Sequence, residues 1–267
     1  MYHVMQHFPF IARMVGFWPE EALRLKKLTH DVMKERDEKD IHVGDFIDRL
    51  REYKKVKEPP ITDGMMDAQG MIFISAGFET TANTIGSMIY HFALYPEVQD
   101  KILDEINDVI GGTDDVNHEN IKDLHYLEAC ICETLRLCPP VAEHDRTCTK
   151  DSTVNGVNIK KGTRIQLCIY AAHYDEEFFP EPYQYKPERF LKENAEDLIP
   201  YTWRPFGSGN RVCLGQRLAI VEIKIFMAKF LKAFKIVKTP RTNIEPGPGG
   251  FIMILYPQVV VKLEPRT

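Results

Sequence analysis

The stretch RPFGSGNRVCLG, residues 204–215, sets one cysteine among three glycines and an arginine, directly ahead of a long amphipathic segment. A cysteine taken alone is ordinarily a small core hydrophobe. Here Gly207, Gly209 and Gly215 let backbone pass close to a flat, bulky object and permit positive φ, and a helix beginning beside Cys213 points its first N–H groups towards the sulfur. Such surroundings stabilise a thiolate. Arg211, two residues earlier, is a permanent cation suited to a carboxylate.

Downstream, residues 215–234 read as a helix with Leu218, Val221, Ile225, Phe226 and Leu231 on its apolar side, and FIMILYPQVVVKL, residues 251–263, reads as a terminal β-hairpin. Upstream, residues 178–206 are aromatic and proline-rich, a stretch long for a loop in a compact domain, and loops of that length tend to carry function. Before it, STVNGVNIKKGTRIQLCIY, residues 152–170, holds an Asn-Gly and a Lys-Gly turn between β-branched runs and predicts strands. Residues 124–137 are helical and stop at Pro139-Pro140. Pro96 opens a helix carrying Val98, Ile102, Leu103, Ile106 and Val109, and Gly111-Gly112 closes it.

No proline interrupts residues 62–95, and the apolar positions keep helical spacing throughout. That predicts one helix of about thirty residues, on the order of 50 Å long. The first sixty residues predict two helices, 19–36 and 44–54, with Leu23, Leu28, Val32, Phe46, Ile47 and Leu50 available for packing, ended by Lys57-Glu58-Pro59-Pro60. The fold class is mainly α with small β-sheets. It divides into a helical segment (1–60), the long helix through the helix at 124–137 (61–138), and a strand, loop, helix and hairpin portion (139–267).

Composition narrows the function. A formal net charge of −5 with 44% hydrophobic residues is that of a globular chain, and it lacks the basic footprint of a nucleic-acid binder, so no nucleic acid is expected as a partner. The six cysteines show no framework spacing, which fits a reducing compartment. The N-terminus has the pattern of neither a signal peptide nor an anchor, and the apolar window 71–78 is too short to span a bilayer.

Thiolate, guanidinium and glycine clearance together describe an axial cysteine on haem iron, with the arginine pairing a haem carboxylate. The pattern Phe206-x-x-Gly209-x-Arg211-x-Cys213-x-Gly215 resembles that of the cytochrome P450 superfamily, the haem-thiolate monooxygenases. Three further segments are similar to family motifs: Ala76-Gly77-Phe78-Glu79-Thr80-Thr81 to the oxygen-activation motif, Glu133-Thr134-Leu135-Arg136 to ExxR, and Pro187-Glu188-Arg189-Phe190 to the PERF segment. The resemblance covers almost the whole chain and corresponds to the C-terminal portion of the fold, in the animal microsomal branch that oxidises xenobiotics and steroids.

What it implies is specific. The cofactor is haem b (iron protoporphyrin IX) on Cys213, with Arg211 and Arg146 reaching its carboxylates and Phe206, Gly207 and Gly215 beside it. Glu79 and Thr80 deliver protons while O2 is activated, and electrons come from NADPH through NADPH-cytochrome P450 reductase, with cytochrome b5 as a further donor. Glu133, Arg136 and Arg189 form a buried structural cluster. A lipophilic substrate meets Ser75, Ala76, Val141, Ala142 and the hairpin near Phe251. His144 is read as a polar loop residue, and Lys224 and Lys229 as reductase contacts on the cysteine side.

The family's usual location is the cytosolic face of the endoplasmic reticulum membrane. Its members are much longer, their N-terminal half supplying the anchor and most of the main sheet, so these 267 residues are expected to be a fragment, poorly soluble by themselves. Two alternatives accompany the monooxygenase reading: a truncated, catalytically incompetent haem-binding fragment, and a peroxide isomerase or dehydratase relative using the same centre.

Overall fold

The computed structural model describes residues 20–54, 61–111, 116–243 and 259–266, which fall into two compact units divided between Phe78 and Glu79.

In the first unit, α1 (Glu20–Glu38) and α2 (Phe46–Lys54) accompany the first part of the long helix α3 (Asp63–Leu94). The α1–α2 turn is held by charge. Asp48, buried, accepts the backbone N–H groups of Val43 and Gly44 and the guanidinium groups of Arg36 and Arg51, which hold its carboxyl far below the usual carboxylate range. Gly44 turns the chain at φ 80°.

Thr29 and Met33, one helical turn apart, face inward from α1, whereas Leu23 and Leu28, expected to pack, are exposed among the described residues. Thr29 explains the choice of face. A Cβ on Gly70 would sit 2.1 Å from Thr29 Cγ2, so α3 approaches α1 at a position where only glycine fits.

In the second unit the remainder of α3 packs with α4 (Pro96–Ile110), α5 (His125–Leu137) and α7 (Gln216–Ala233), and the short α6 (Ile169–His173) lies against α5. Met88 and Phe92 of α3, Ile102 and Ile106 of α4, Leu127 and Ile131 of α5, and Met227 and Leu231 of α7 form one fully buried cluster. Glu105 on α4 caps α5, its two carboxylate oxygens accepting the N–H groups of Tyr126 (2.6 Å) and Leu127 (3.0 Å).

Among the described residues, three two-stranded antiparallel sheets accompany these helices. In the first, β1 (Glu143–Thr147) pairs β4 (Arg164–Cys168). In the second, β2 (Ser152–Val154) pairs β3 (Val157–Ile159), and in the third β5 (Phe234–Val237) pairs β6 (Lys262–Pro265). Asn155 (φ 48°) and Gly156 (φ 80°) supply the two positive-φ positions of the β2–β3 turn.

Three further details depart from the sequence expectation. Ile169 and Tyr170 belong to α6, not to the strand that ends at Cys168. β1 escaped notice because EHDRT has no apolar alternation. Residues 251–258 of the expected hairpin lie outside the described residues, and β6, just after them, pairs with β5. On α7 the buried face is Ile223, Lys224, Met227, Ala228 and Leu231, while Leu218 and Phe226 are exposed.

Candidate active site

Glu133 and Arg136, one turn apart on α5, are both fully buried. Arg136 Nε donates to Glu133 Oε2 at 2.7 Å and Nη2 to Oε1 at 2.8 Å, a bidentate pair. The same guanidinium donates to the carbonyls of His173 (2.8 Å), Pro182 (2.7 Å) and Gln184 (3.1 Å), so it ties α5 to the end of α6 at one point and to the proline-rich stretch at two. Lys186 N–H adds a bond to Glu133 Oε1 at 2.8 Å, and Arg189 Nε approaches that oxygen to 3.6 Å. Burial pushes the Glu133 carboxyl up, against the pull of Arg136. Every polar contact named for it is with an N–H donor, so the carboxylate is the form this site holds.

From this anchor the chain runs through Trp203, whose indole N–H donates to the Cys132 carbonyl at 3.1 Å, into the cysteine loop. Gly207 N donates to Arg204 O (3.0 Å), Val212 N to Gly209 O (3.1 Å) and Cys213 N to Phe206 O (2.9 Å). Gly207 and Gly209 take φ 76° and 70°, which L side chains rarely adopt. The loop presents Cys213 at the surface with Arg211, Val212 and Leu214, the last 84% exposed. α7 starts three residues on, and Gly215 at its N-cap offers no side-chain acceptor to the first N–H groups of the helix.

Strand β1 faces this loop. His144 Nε2 is 3.5 Å from where a Gly207 Cβ would stand, and Arg146, two residues along the strand, shares its face. His144 is therefore a strand residue against the glycine loop, not a loop residue. Its Nε2 is buried without a hydrogen-bond partner among the described residues, and burial pulls its pKa down. Arg146 donates Nη1 to the Asp145 carbonyl at 2.7 Å.

The other candidates are spread along the chain. Glu79 is exposed and Thr80 half-buried on α3, in the second unit; Ser75 and Ala76 are exposed in the first, with Ser75 Oγ donating to Met71 O at 2.9 Å. Val141 and Ala142 are half-buried just before β1, and Phe251 lies outside the described residues. Lys224 is not a surface lysine. It is buried, 2.6 Å from the Glu128 carboxylate and donating to Ile121 O at 3.2 Å, so it cannot meet a partner. Lys229 is exposed.

A haem held through one thiolate fits these residues. Cys213 is exposed on a loop where Cβ atoms at Gly209 and Gly215 would have nothing within 4 Å, apolar Val212, Leu214 and Leu218 stand open, and Arg211 and Arg146 offer cations for carboxylates. Among the described residues no three His, Cys, Asp or Glu side chains gather to hold a bare metal ion.

The sequence profile of the family described as Cytochrome P450 matches residues 6–264. The chain belongs to the cytochrome P450 family. Among its relatives, Cytochrome P450 3A11 of Mus musculus is 33% identical over 273 residues, covering 97% of this chain and 54% of that protein. Cytochrome P450 3A7 of Homo sapiens is 33% identical over 275 residues, with the same 97% and 54%. Cytochrome P450 3A9 of Rattus norvegicus is 33% identical over 248 residues, covering 89% of this chain and 49% of that protein. The chain spans about half the length of the curated relatives it matches. This P450 chain has, among its described residues, no helix long and apolar enough to cross a membrane.

Proposed function

We propose that the protein to which this chain belongs is a haem-thiolate monooxygenase that inserts one atom of O2 into a lipophilic substrate. The observation that carries this reading is the surface thiol of Cys213, held at the mouth of a glycine loop by the 2.9 Å bond from its N–H to Phe206 O. Bound haem b supplies the oxygen-activating chemistry, its reactivity tuned by electron donation from the thiolate.

The chain's own groups bind, orient and move protons. Cys213 would serve as the thiolate ligand, exposed on the loop that leads into α7. Arg211 and Arg146 would hold the carboxylates of the haem, and Phe206, Gly207 and Gly215 would lie beside it. Glu79, exposed, takes protons from solvent at its carboxylate, and the Thr80 hydroxyl passes them inward. Glu133, Arg136 and Arg189 keep the proline-rich stretch rigid so that the loop is preformed.

Ser75, Ala76, Val141, Ala142 and Phe251 are the proposed substrate contacts, small or apolar as a lipophilic ligand requires. NADPH-cytochrome P450 reductase, with cytochrome b5, supplies electrons at the endoplasmic reticulum membrane. The test is NADPH consumption by the full-length protein reconstituted with haem, reductase and a panel of lipophilic compounds. Substrate-dependent consumption that vanishes in Cys213→Ala supports the reading. Haem binding with no turnover, or conversion of a lipid hydroperoxide without NADPH, overturns it in favour of an inert haem binder or a peroxide-rearranging relative.

A further inference from the structure

His173 closes α6, and its side chain has no solvent exposure. Its Nδ1 lies 3.0 Å from the backbone carbonyl of Arg136, and its Nε2 lies 3.3 Å from the backbone nitrogen of Arg204. A carbonyl only accepts and an amide N–H only donates, so both bonds exist together in one form of the ring, the neutral tautomer protonated at Nδ1. The His173 carbonyl in turn accepts Arg136 Nη1 at 2.8 Å, which locks residue and helix to each other from both ends. Phe179 meets the ring edge-on at 6.1 Å and Arg136 and Arg204 are the charged residues bonded to it, so no carboxylate among its named partners favours a second proton.

Beyond the ring the bonds continue into the cysteine loop. Arg204 O accepts Gly207 N–H at 3.0 Å, and Phe206 O accepts Cys213 N–H at 2.9 Å. Pro205 offers no N–H, and the buried Arg204 Nε has no hydrogen-bond partner among the described residues. With the Trp203 indole bond to Cys132 O one residue earlier, the Arg204 amide is a polar tie at the start of the loop, and the imidazole is its acceptor.

We propose that His173 is a positioning residue that fixes the register of the Cys213 loop by bridging the Arg136 carbonyl to the Arg204 N–H. It does this as a donor–acceptor pair, not as a space-filler, and it touches neither ligand nor thiol. The functional meaning of that register rests on the reading of Cys213 as the haem ligand.

The test compares His173→Leu, which keeps bulk and removes both polar atoms, with His173→Gln, whose amide can donate at one end and accept at the other. Hydrogen exchange is read on the haem-free full chain at the Arg204, Gly207 and Cys213 amides, with α4 and α7 amides as the measure of overall folding. In His173→Leu the loop amides exchange at least about tenfold faster while α4 and α7 stay protected, and in His173→Gln they return to within about threefold of the parent. After haem loading, the share of carbon-monoxide complex with a thiolate-type Soret band falls in the Leu variant and recovers in the Gln variant.

Unchanged loop exchange in the Leu variant overturns the proposal, as does a Gln variant as fast as Leu. If the Leu variant loses α4 and α7 protection as well, the decision passes to the parent protein, where nitrogen-15 NMR must show His173 neutral with the proton on Nδ1. A proton on Nε2 overturns the bridge. Exchange needs no haem, so a chain that shows the bridge yet never binds haem contradicts the thiolate reading alone.

Discussion

Arg136 meets Glu133 at 2.7 Å with neither side chain reaching solvent, and the guanidinium spends its remaining donors on three carbonyls up to 48 residues away. Removing either partner strands a charge in the interior. Arg136→Ala and Glu133→Ala are each expected to cost about 3–5 kcal/mol in urea denaturation. Arg136→Lys should recover little, because an ammonium cannot reproduce the planar fork. A loss under about 1 kcal/mol for either alanine variant would contradict the arrangement.

Gly70 and Thr29 make a second, independent test. Thr29 is buried and its hydroxyl is committed to Leu25 O at 3.0 Å, so its methyl cannot swing away from a new Cβ. Gly70→Ala should destabilise the first unit by roughly 1–3 kcal/mol. Adding Thr29→Ser, which deletes the clashing methyl, should restore most of it. Gly86→Ala, where nothing stands within 4 Å, should instead stabilise α3 by up to about 1 kcal/mol.

Two buried histidines govern the response to acid. His91, with Nδ1 against Ser87 O at 2.8 Å and its ring stacked on Tyr185 at 4.6 Å, is pulled down by burial to about 4, and burial likewise pulls His173 down to about 4. The unfolded chain takes up these protons near pH 6.5 and the folded chain only near 4. Their contribution is therefore present above pH 6.5 and lost as pH falls towards 4, on the order of 3 kcal/mol for each group across that window. Denaturation midpoints at pH 7 and 5 should differ clearly, and less so in His91→Gln. Equal midpoints would mean that these rings are not buried neutral.

Lys224 separates a structural from a docking role. Lys224→Ala leaves the Ile121 carbonyl without its lysine donor and is expected to lower the melting temperature through a loss of at least about 1 kcal/mol. Binding of reductase by the full-length protein should not change. Weaker binding with unchanged stability would restore the lysine to the surface.

Much of this was legible in residue order because local rules carry it. Proline and glycine positions marked α3, α4 and α5, the i, i+3 spacing of Glu133 and Arg136 placed them on one face, and the density of glycine around Cys213 announced a loop with positive-φ turns. Long-range pairings were not legible. His173 stands 37 residues from Arg136 and 31 from Arg204, and nothing near it in the chain says that its ring will be buried between them. Lys224 misled for the same reason: its partners, Glu128 and Ile121, come from a distant part of the chain and turn α7 so that a lysine faces inward while Leu218 and Phe226 face out. Glu105, a cap reaching across from another helix, likewise leaves no local mark.

The account stands on sulfur ligation by Cys213, and one spectrum addresses it. The full-length protein, loaded with haem, reduced with dithionite and exposed to carbon monoxide, should show a Soret maximum well to the red of globin-type proteins, lost in Cys213→Ala and kept in Cys168→Ala. A maximum at the globin-type position in the parent protein, or a red-shifted band that survives Cys213→Ala, would contradict it.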